Sequence, residues 1–351
     1  MRKTLASIFA LVLVAALPAQ KDTIYWADGT TVAKVRIISF TWTEIKWTKS
    51  GRSESRSADQ VSRVDCEKVK DAYRRGYGAS DDDEAYSQFR MEREKQVKSK
   101  KLFIAQFGFM EEANLLMGNK ETGECFATLE LMTKECPDSG FCPELYRMKL
   151  EYYLSLGKKG VANALKVANT YLNTAQTKAW PDGFLHEARF FGLMAEVAGG
   201  KVSEDKLKSG LRGLLGDTEG VYPRVANQVK LQVADQQRRQ GETAASKKSY
   251  KELADQDGLD ESTRAGALLG LGQAQLEEGN ATDREPYRDA LLSFLRVYIE
   301  AEKAPSDMRA KALYFASQAC EKWRGQDSAA MGRRLRGYLK RDFPGSEWAK
   351  R

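Results

Sequence analysis

Histidine is almost absent: His186 is the only one among 351 residues. Without a second histidine, a zinc site of mixed nitrogen and sulfur ligands is short of donors, and no base stands ready for a serine or cysteine nucleophile. The chain also lacks a Gly-x-Ser-x-Gly turn and a Walker loop. His186, followed by Glu187 on a helical stretch, therefore reads as a surface or half-buried packing residue. Paired acids such as Glu111-Glu112 and Glu277-Glu278 lie beside basic residues on helices, where solvated charge is the plain reading. Scattered acids of the glycosidase kind leave a hydrolase as the alternative. The expectation is a protein that is not an enzyme, with no cofactor and no metal.

Long apolar runs are missing as well, with one exception. Arg2 and Lys3 precede an apolar stretch from Leu5 to Leu17, followed by Pro18-Ala19-Gln20. That order of charge, hydrophobe and small residue describes a secretory signal peptide over residues 1–20, which implies export to a periplasm or cell envelope. The run is shorter than the roughly 20 residues that span a bilayer. Lipid attachment needs a cysteine at the cleavage site, and the first here is Cys66. The formal charge is 56 − 49 = +7, or 54 − 49 = +5 once Arg2 and Lys3 are removed. So mild a balance attracts acidic partners weakly, through fields that salt screens over about 8 Å. It does not indicate nucleic acid.

Cysteines are few and odd in number, five in all. Cys136 and Cys142 flank the turn-forming segment "PDSGF", so they reach disulfide range if that loop folds back, and an exported compartment permits the bond. Cys125 and Cys136 stand about 16 Å apart along a continuous helix and do not pair. Cys66 and Cys320 read as buried free thiols.

What the chain does have begins with strands. Residues 21–65 are rich in β-branched and aromatic side chains, with turn signals at Asp28-Gly29 and Ser50-Gly51. Alternation puts Ile45 and Trp47 on one face. A unit so small closes as a barrel or packs on its neighbour. Residues 66–99 read as a linker and lead-in helix, with Ser80, Asp83 and Glu84 suited to a helix N-terminus. The run Asp81-Asp82-Asp83 lacks the ligand spacing of an EF-hand.

From residue 100 to residue 351 a single feature repeats. A glycine closes an amphipathic segment at Gly118, Gly157, Gly199, Gly241, Gly279 and Gly325, at intervals of 39, 42, 42, 38 and 46 residues. After each comes a second segment with apolar residues three or four apart: Phe126, Leu129 and Leu131; Leu165, Ala168 and Leu172; Leu207, Leu211 and Leu214; Tyr250 and Leu253; Leu291, Phe294 and Val297; Leu335, Tyr338 and Leu339. Those offsets share one helix face, so about six helix pairs are predicted. Gly272 suits a close helix approach and Gly279 a left-handed helix end. Gly270-Leu-Gly272 is not a dinucleotide fingerprint, because Gln275 stands where its third glycine belongs.

Leu271-Gly272, Gly279, Ala290 and Phe294, with Phe191-Gly192, Gly199, Leu207 and Leu211, resemble the tetratricopeptide repeat. The ending "YLKRDFPGSEWAK" is similar to the closing repeat of exported bacterial tetratricopeptide proteins, and the strand region resembles Sm-like or SH3-like barrels. The fold class these point to is mostly α: a tetratricopeptide-like α-solenoid preceded by a small β-rich module.

The resemblance implies a protein–protein interaction scaffold of the cell envelope that holds a partner segment in a groove lined by the first helix of each pair. The candidate groove residues are Arg147, Arg189, Asp235, Arg238, Arg239 and Gln273. Arginines there suit an acidic segment or a C-terminal carboxylate. A self-associating structural subunit is the alternative. The basic final helix, with Arg333, Arg334, Arg336, Lys340 and Arg341, could also touch lipid headgroups or acidic polymers.

Overall fold

The computed structural model describes residues 21–302 and 304–351, so the signal-peptide reading of residues 1–20 lies outside the described residues. Five strands come first: β1 (Asp22–Trp26), β2 (Thr31–Phe40), β3 (Glu44–Lys49), β4 (Arg52–Ser57) and β5 (Val61–Asp65). They form an antiparallel sheet in the order β4-β3-β2-β1-β5. Asp28-Gly29 and Ser50-Gly51 occupy the two tight turns, with positive φ at Gly29, Ser50 and Gly51. The long strand β2 pairs with β1 through residues 31–35 and with β3 through residues 36–40, with an irregularity between Ile37 and Ser39. An extra residue bends a strand, and this bend wraps the sheet around Ile24, Trp26, Val35, Ile37, Ile45, Trp47 and Val61, all buried. β4 and β5 remain edges, so the module is completed by packing against the helical part of the chain.

Asp22 makes the join. Its Oδ2 accepts the Ile37 N–H at 2.8 Å and its Oδ1 accepts the Glu67 N–H at 2.9 Å, which ties β1 both to the bend of β2 and to the head of the first helix.

Helices α1 (Glu67–Ala72), α2 (Arg74–Tyr77) and α3 (Asp82–Lys98) lead in. Asp81, rather than Ser80, caps α3: its carboxylate accepts the Glu84 N–H at 2.8 Å, while Glu84 reaches back to the Ser80 N–H and hydroxyl. Then come α4 (Leu102–Gly118), α5 (Thr122–Glu135), α6 (Cys142–Ser155), α7 (Val161–Thr177), α8 (Asp182–Ala198), α9 (Glu204–Thr218), α10 (Pro223–Arg239), α11 (Thr243–Ala254), α12 (Glu261–Glu278), α13 (Glu285–Glu300), α14 (Ser306–Trp323) and α15 (Ser328–Asp342). From α4 onward they pack as six consecutive antiparallel pairs, as the glycine spacing predicts.

Two details differ from the sequence reading. In the second helices Met132 is buried in place of Leu131, and Tyr338 is 40% exposed, because the buried faces run 125/126/129/132 and 332/335/339. Gly279 has φ −62 and leaves the helix through an extended conformation, whereas Gly157 and Gly241 do adopt left-handed backbone. Gly272 is needed for contact: a Cβ there would lie 2.6 Å from the Phe294 ring of the paired helix.

The array curves. Each first helix from α6 to α14 touches the next first helix, α6 on α8, α8 on α10, α10 on α12 and α12 on α14, and no comparable packing joins successive second helices. First helices therefore lie on the short-radius side.

The β module lies along the edge where chains enter those first helices. Before α6, the Trp42 N–H donates to the Asp138 carbonyl at 3.2 Å, Thr41 bridges Ser139, and Trp42 meets Trp180 at 6.1 Å between ring centroids. At α8, the Asp59 carboxylate accepts the Gly183 N–H at 3.0 Å, acting as a helix cap supplied by a distant segment. Gln60 donates to the Val221 carbonyl at 2.9 Å and Arg224 of α10 donates to the Val61 carbonyl at 2.8 Å. Before α12, Gly258 abuts Gly29 so closely that a Cβ on Gly258 would fall 2.0 Å from the Gly29 Cα. One module thus contacts four successive inter-repeat loops.

Candidate functional site

The six candidate groove residues all fall on the inner helices: Arg147 on α6, Arg189 on α8, Asp235, Arg238 and Arg239 on α10, and Gln273 on α12. Their states differ. Arg147 is 9% exposed and its guanidinium is engaged on three sides, with Nε and one terminal nitrogen on the Glu187 carboxylate at 2.9 Å each and the other terminal nitrogen on Glu144. It is a structural cation, not one offered to an acidic ligand. Arg238 is half-buried and paired with Glu277 at 2.5 Å. Asp235 accepts the Tyr250 hydroxyl at 2.5 Å. Arg189 and Arg239 are exposed and Gln273 is half-buried. Neither of these two arginines has an ion-pair partner among the described residues.

The centre of the inner face is a network around Glu187, which is 1% exposed. Besides Arg147 it accepts the Tyr171 hydroxyl at 2.7 Å, from the helix between α6 and α8. Burial pushes the Glu187 pKa up, but Arg147, Arg224 and the Tyr171 hydroxyl outweigh it and hold the carboxyl below its ordinary value. Burial acts downward on Arg147 and is likewise outweighed by Glu144 and Glu187, so it stays charged. Arg224 of α10 stands 3.9 Å from Glu144 of α6, reaching past α8. These contacts pull three inner helices together.

Sequence reasoning missed this network, although a signal exists. Arg147 and Glu187 are 40 residues apart, and Arg238 and Glu277 are 39 apart. Opposite charges at the repeat spacing occupy equivalent places on neighbouring first helices. Likewise the paired acids Glu111 and Glu112 are not both solvated charge. Glu112 is 1% exposed and bidentate with Arg93 of α3 at 2.6 and 3.2 Å, and Arg93 lies 4.5 Å over the Phe109 ring.

Glu151, one turn beyond Arg147, is the inner-face acid that sequence reading overlooked. Its side chain reaches solvent, yet it stands in the hollow of the curve. Desolvation in that hollow pushes its pKa up to about 7, with Arg147 opposing and Glu144, Asp260 and Glu187 adding to it.

Comparison with protein-family models gives no match. Neither does comparison with curated proteins. The site is read from its own chemistry.

His186 is half-buried on α8 against Tyr222, with ring centroids 5.3 Å apart, and its Nδ1 is enclosed without a hydrogen-bond partner. All five cysteines are buried free thiols. The Cys142 sulfur points at the Cys136 carbonyl at 3.8 Å, and no bond joins Cys136 to Cys142. Burial raises both thiol pKa values, to about 11 for Cys136 and about 12 for Cys142. Among the described residues no group of three His, Cys, Asp or Glu side chains could hold a metal ion, and no helix is long and apolar enough to cross a membrane.

Proposed function

We propose that the chain is an exported, non-enzymatic scaffold of the bacterial cell envelope, whose inner face receives a segment of another envelope protein. The observation that carries this reading is the ordered row of first helices α6, α8, α10 and α12 on the short-radius side. Their tetratricopeptide-like spacing supports it. The β module, with a 3-10 turn at Ala58–Gln60 between β4 and β5, resembles an SH3-like barrel and serves as a brace on the loop edge.

With Arg147 and Arg238 neutralised internally, recognition rests on Arg189, Arg239, Gln273 and Glu151. The exposed guanidinium groups of Arg189 and Arg239 favour carboxylates of the partner. Glu151 on α6, with its pKa pushed up to about 7, adds an acid that is only partly charged at neutral pH. Self-association is the second reading, favoured by Leu292 and Ile299, which lie two turns apart on α13 and are 53% and 65% exposed.

The test is affinity capture from envelope extract with the wild-type chain and with Arg189→Glu/Arg239→Glu, beside light scattering of each. A protein retained by the wild type and lost by the variant, at unchanged mass, supports the groove. Identical capture by both chains removes it, and a change of mass favours self-association.

A further inference from the structure

The side of α15 turned away from α14 is exposed to solvent. Its buried positions Ser328, Gly332, Leu335 and Leu339 face α14 and the core. Five cations stand against one acid, Asp342, in its 15 residues. At 3.6 residues per turn, Arg333, Arg334, Arg336, Lys340 and Arg341 occupy an arc of about 160° opposite the buried stripe. Two of the five are paired, Arg336 with Glu321 and Arg341 with Asp342. Arg333, Arg334 and Lys340 are exposed and have no ion-pair partner among the described residues. Met331 and Tyr338, 36% and 40% exposed, lie together at one margin of the arc, with the Arg341 guanidinium 4.8 Å over the Tyr338 ring.

A solvated helix face needs polar groups, but solubility alone is met by mixed charge. Among the other second helices, α9 carries Glu204, Asp205 and Asp217 and α13 carries Glu285, Asp289 and Glu300 among their cations, while α11 sets Lys247, Lys248 and Lys251 against Glu252, with Lys247 and Lys248 in ion pairs. A face of one sign, edged by a tyrosine and a methionine, matches the chemistry of a flat anionic surface. Headgroup phosphates take the guanidinium and ammonium groups, and an amphipathic ring settles at the interface.

We propose that the outer face of α15 is a peripheral contact for an anionic lipid bilayer, laid on the surface without insertion of the helix. The contact is separate from the inner face and holds whether or not a protein segment binds there. Each unpaired cation near such a surface contributes on the order of 1 kcal/mol, so removing three lowers partitioning by about 100-fold.

The experiment is co-sedimentation of the chain beginning at Lys21, which carries every described element, with vesicles of phosphatidylcholine alone or with one-third phosphatidylglycerol. The comparison variant is Arg333→Gln/Arg334→Gln/Lys340→Gln, with Lys166→Gln/Lys208→Gln/Arg212→Gln as a control of equal charge on other helices. Binding to anionic vesicles only, weakened by salt, cut about 100-fold by the first variant and much less by the second, is the expected result. No binding, equal binding to both vesicles, or equal loss in both variants overturns it. Retention on polyglutamate with no vesicle binding also overturns it and reassigns the face to an acidic protein.

Discussion

Arg147→Leu is the sharpest perturbation of the inner face. It leaves the Glu187 carboxylate, 1% exposed, with the Tyr171 hydroxyl as its direct partner. Removing one member of a buried pair strands the other charge, at a cost of about 3–5 kcal/mol. Adding Glu187→Gln removes the stranded charge while keeping an acceptor for Tyr171, so the double variant should return to within about 1–2 kcal/mol of wild type. The sign of the pH dependence should also change. In the wild type the Glu187 pKa is held below its ordinary value, so the pair's stabilisation is present above about pH 4.3 and lost as pH falls through the folded value. Without Arg147, burial dominates and the folded pKa rises above that of the unfolded chain. Stability then declines as pH increases from about 4.3. Because repeat arrays unfold in segments, native-state hydrogen exchange of α6 to α8 between pH 4 and 8 is the assay, with urea midpoints beside it. A loss under about 1 kcal/mol at pH 7, or a pH slope unchanged in sign, would refute the electrostatic account.

Two further predictions concern the module and the hollow. Gly258→Ala meets the Gly29 Cα at 2.0 Å and also needs left-handed backbone, φ +71. It should cost about 1–3 kcal/mol beyond Gly51→Ala, a turn glycine of φ +81 with nothing near its Cβ. Thermal melts of the two variants check this, and equal losses would mean that the Gly29–Gly258 contact is unimportant. Glu151 has a folded pKa of about 7, above the unfolded value, so its contribution is fully present at low pH and declines as pH rises through 7. Glu151→Gln should therefore raise the melting temperature at pH 8 while leaving it nearly unchanged at pH 4. A shift of equal size at both would contradict the assignment.

How much is legible in the sequence depends on the range of each interaction. Gly118 to Gly325 announce six helix pairs because helix ends are local events, set by a few residues of backbone. Ile45 and Trp47 announce a sheet face for the same reason. Leu131 and Tyr338 fall one position off the buried stripe, since three- and four-residue spacings are both compatible with a helix face until a neighbour selects between them. Arg147 reads as a ligand group in the sequence because its partner lies 40 residues away. A free arginine and a paired one look alike when only neighbours in the chain are inspected. Asp59 as a cap for α8 is further out of reach, at a separation of 124 residues.

That long separation changes how the array behaves. In a simple solenoid each repeat meets only its neighbours, so stability is a sum of nearest-neighbour interfaces and the ends fray independently. Here the β module holds the loops before α6, α8, α10 and α12 at once, through Trp42, Asp59, Gln60 and Gly29. Opening any one interface between those pairs must either carry the module along or break its contacts with the rest. The four pairs are thereby coupled into a unit whose curvature is fixed from one edge, while α14 and α15 stay outside the brace. A partner that needs the inner face wider must release the module first, and one that fits the existing curve meets a surface already ordered.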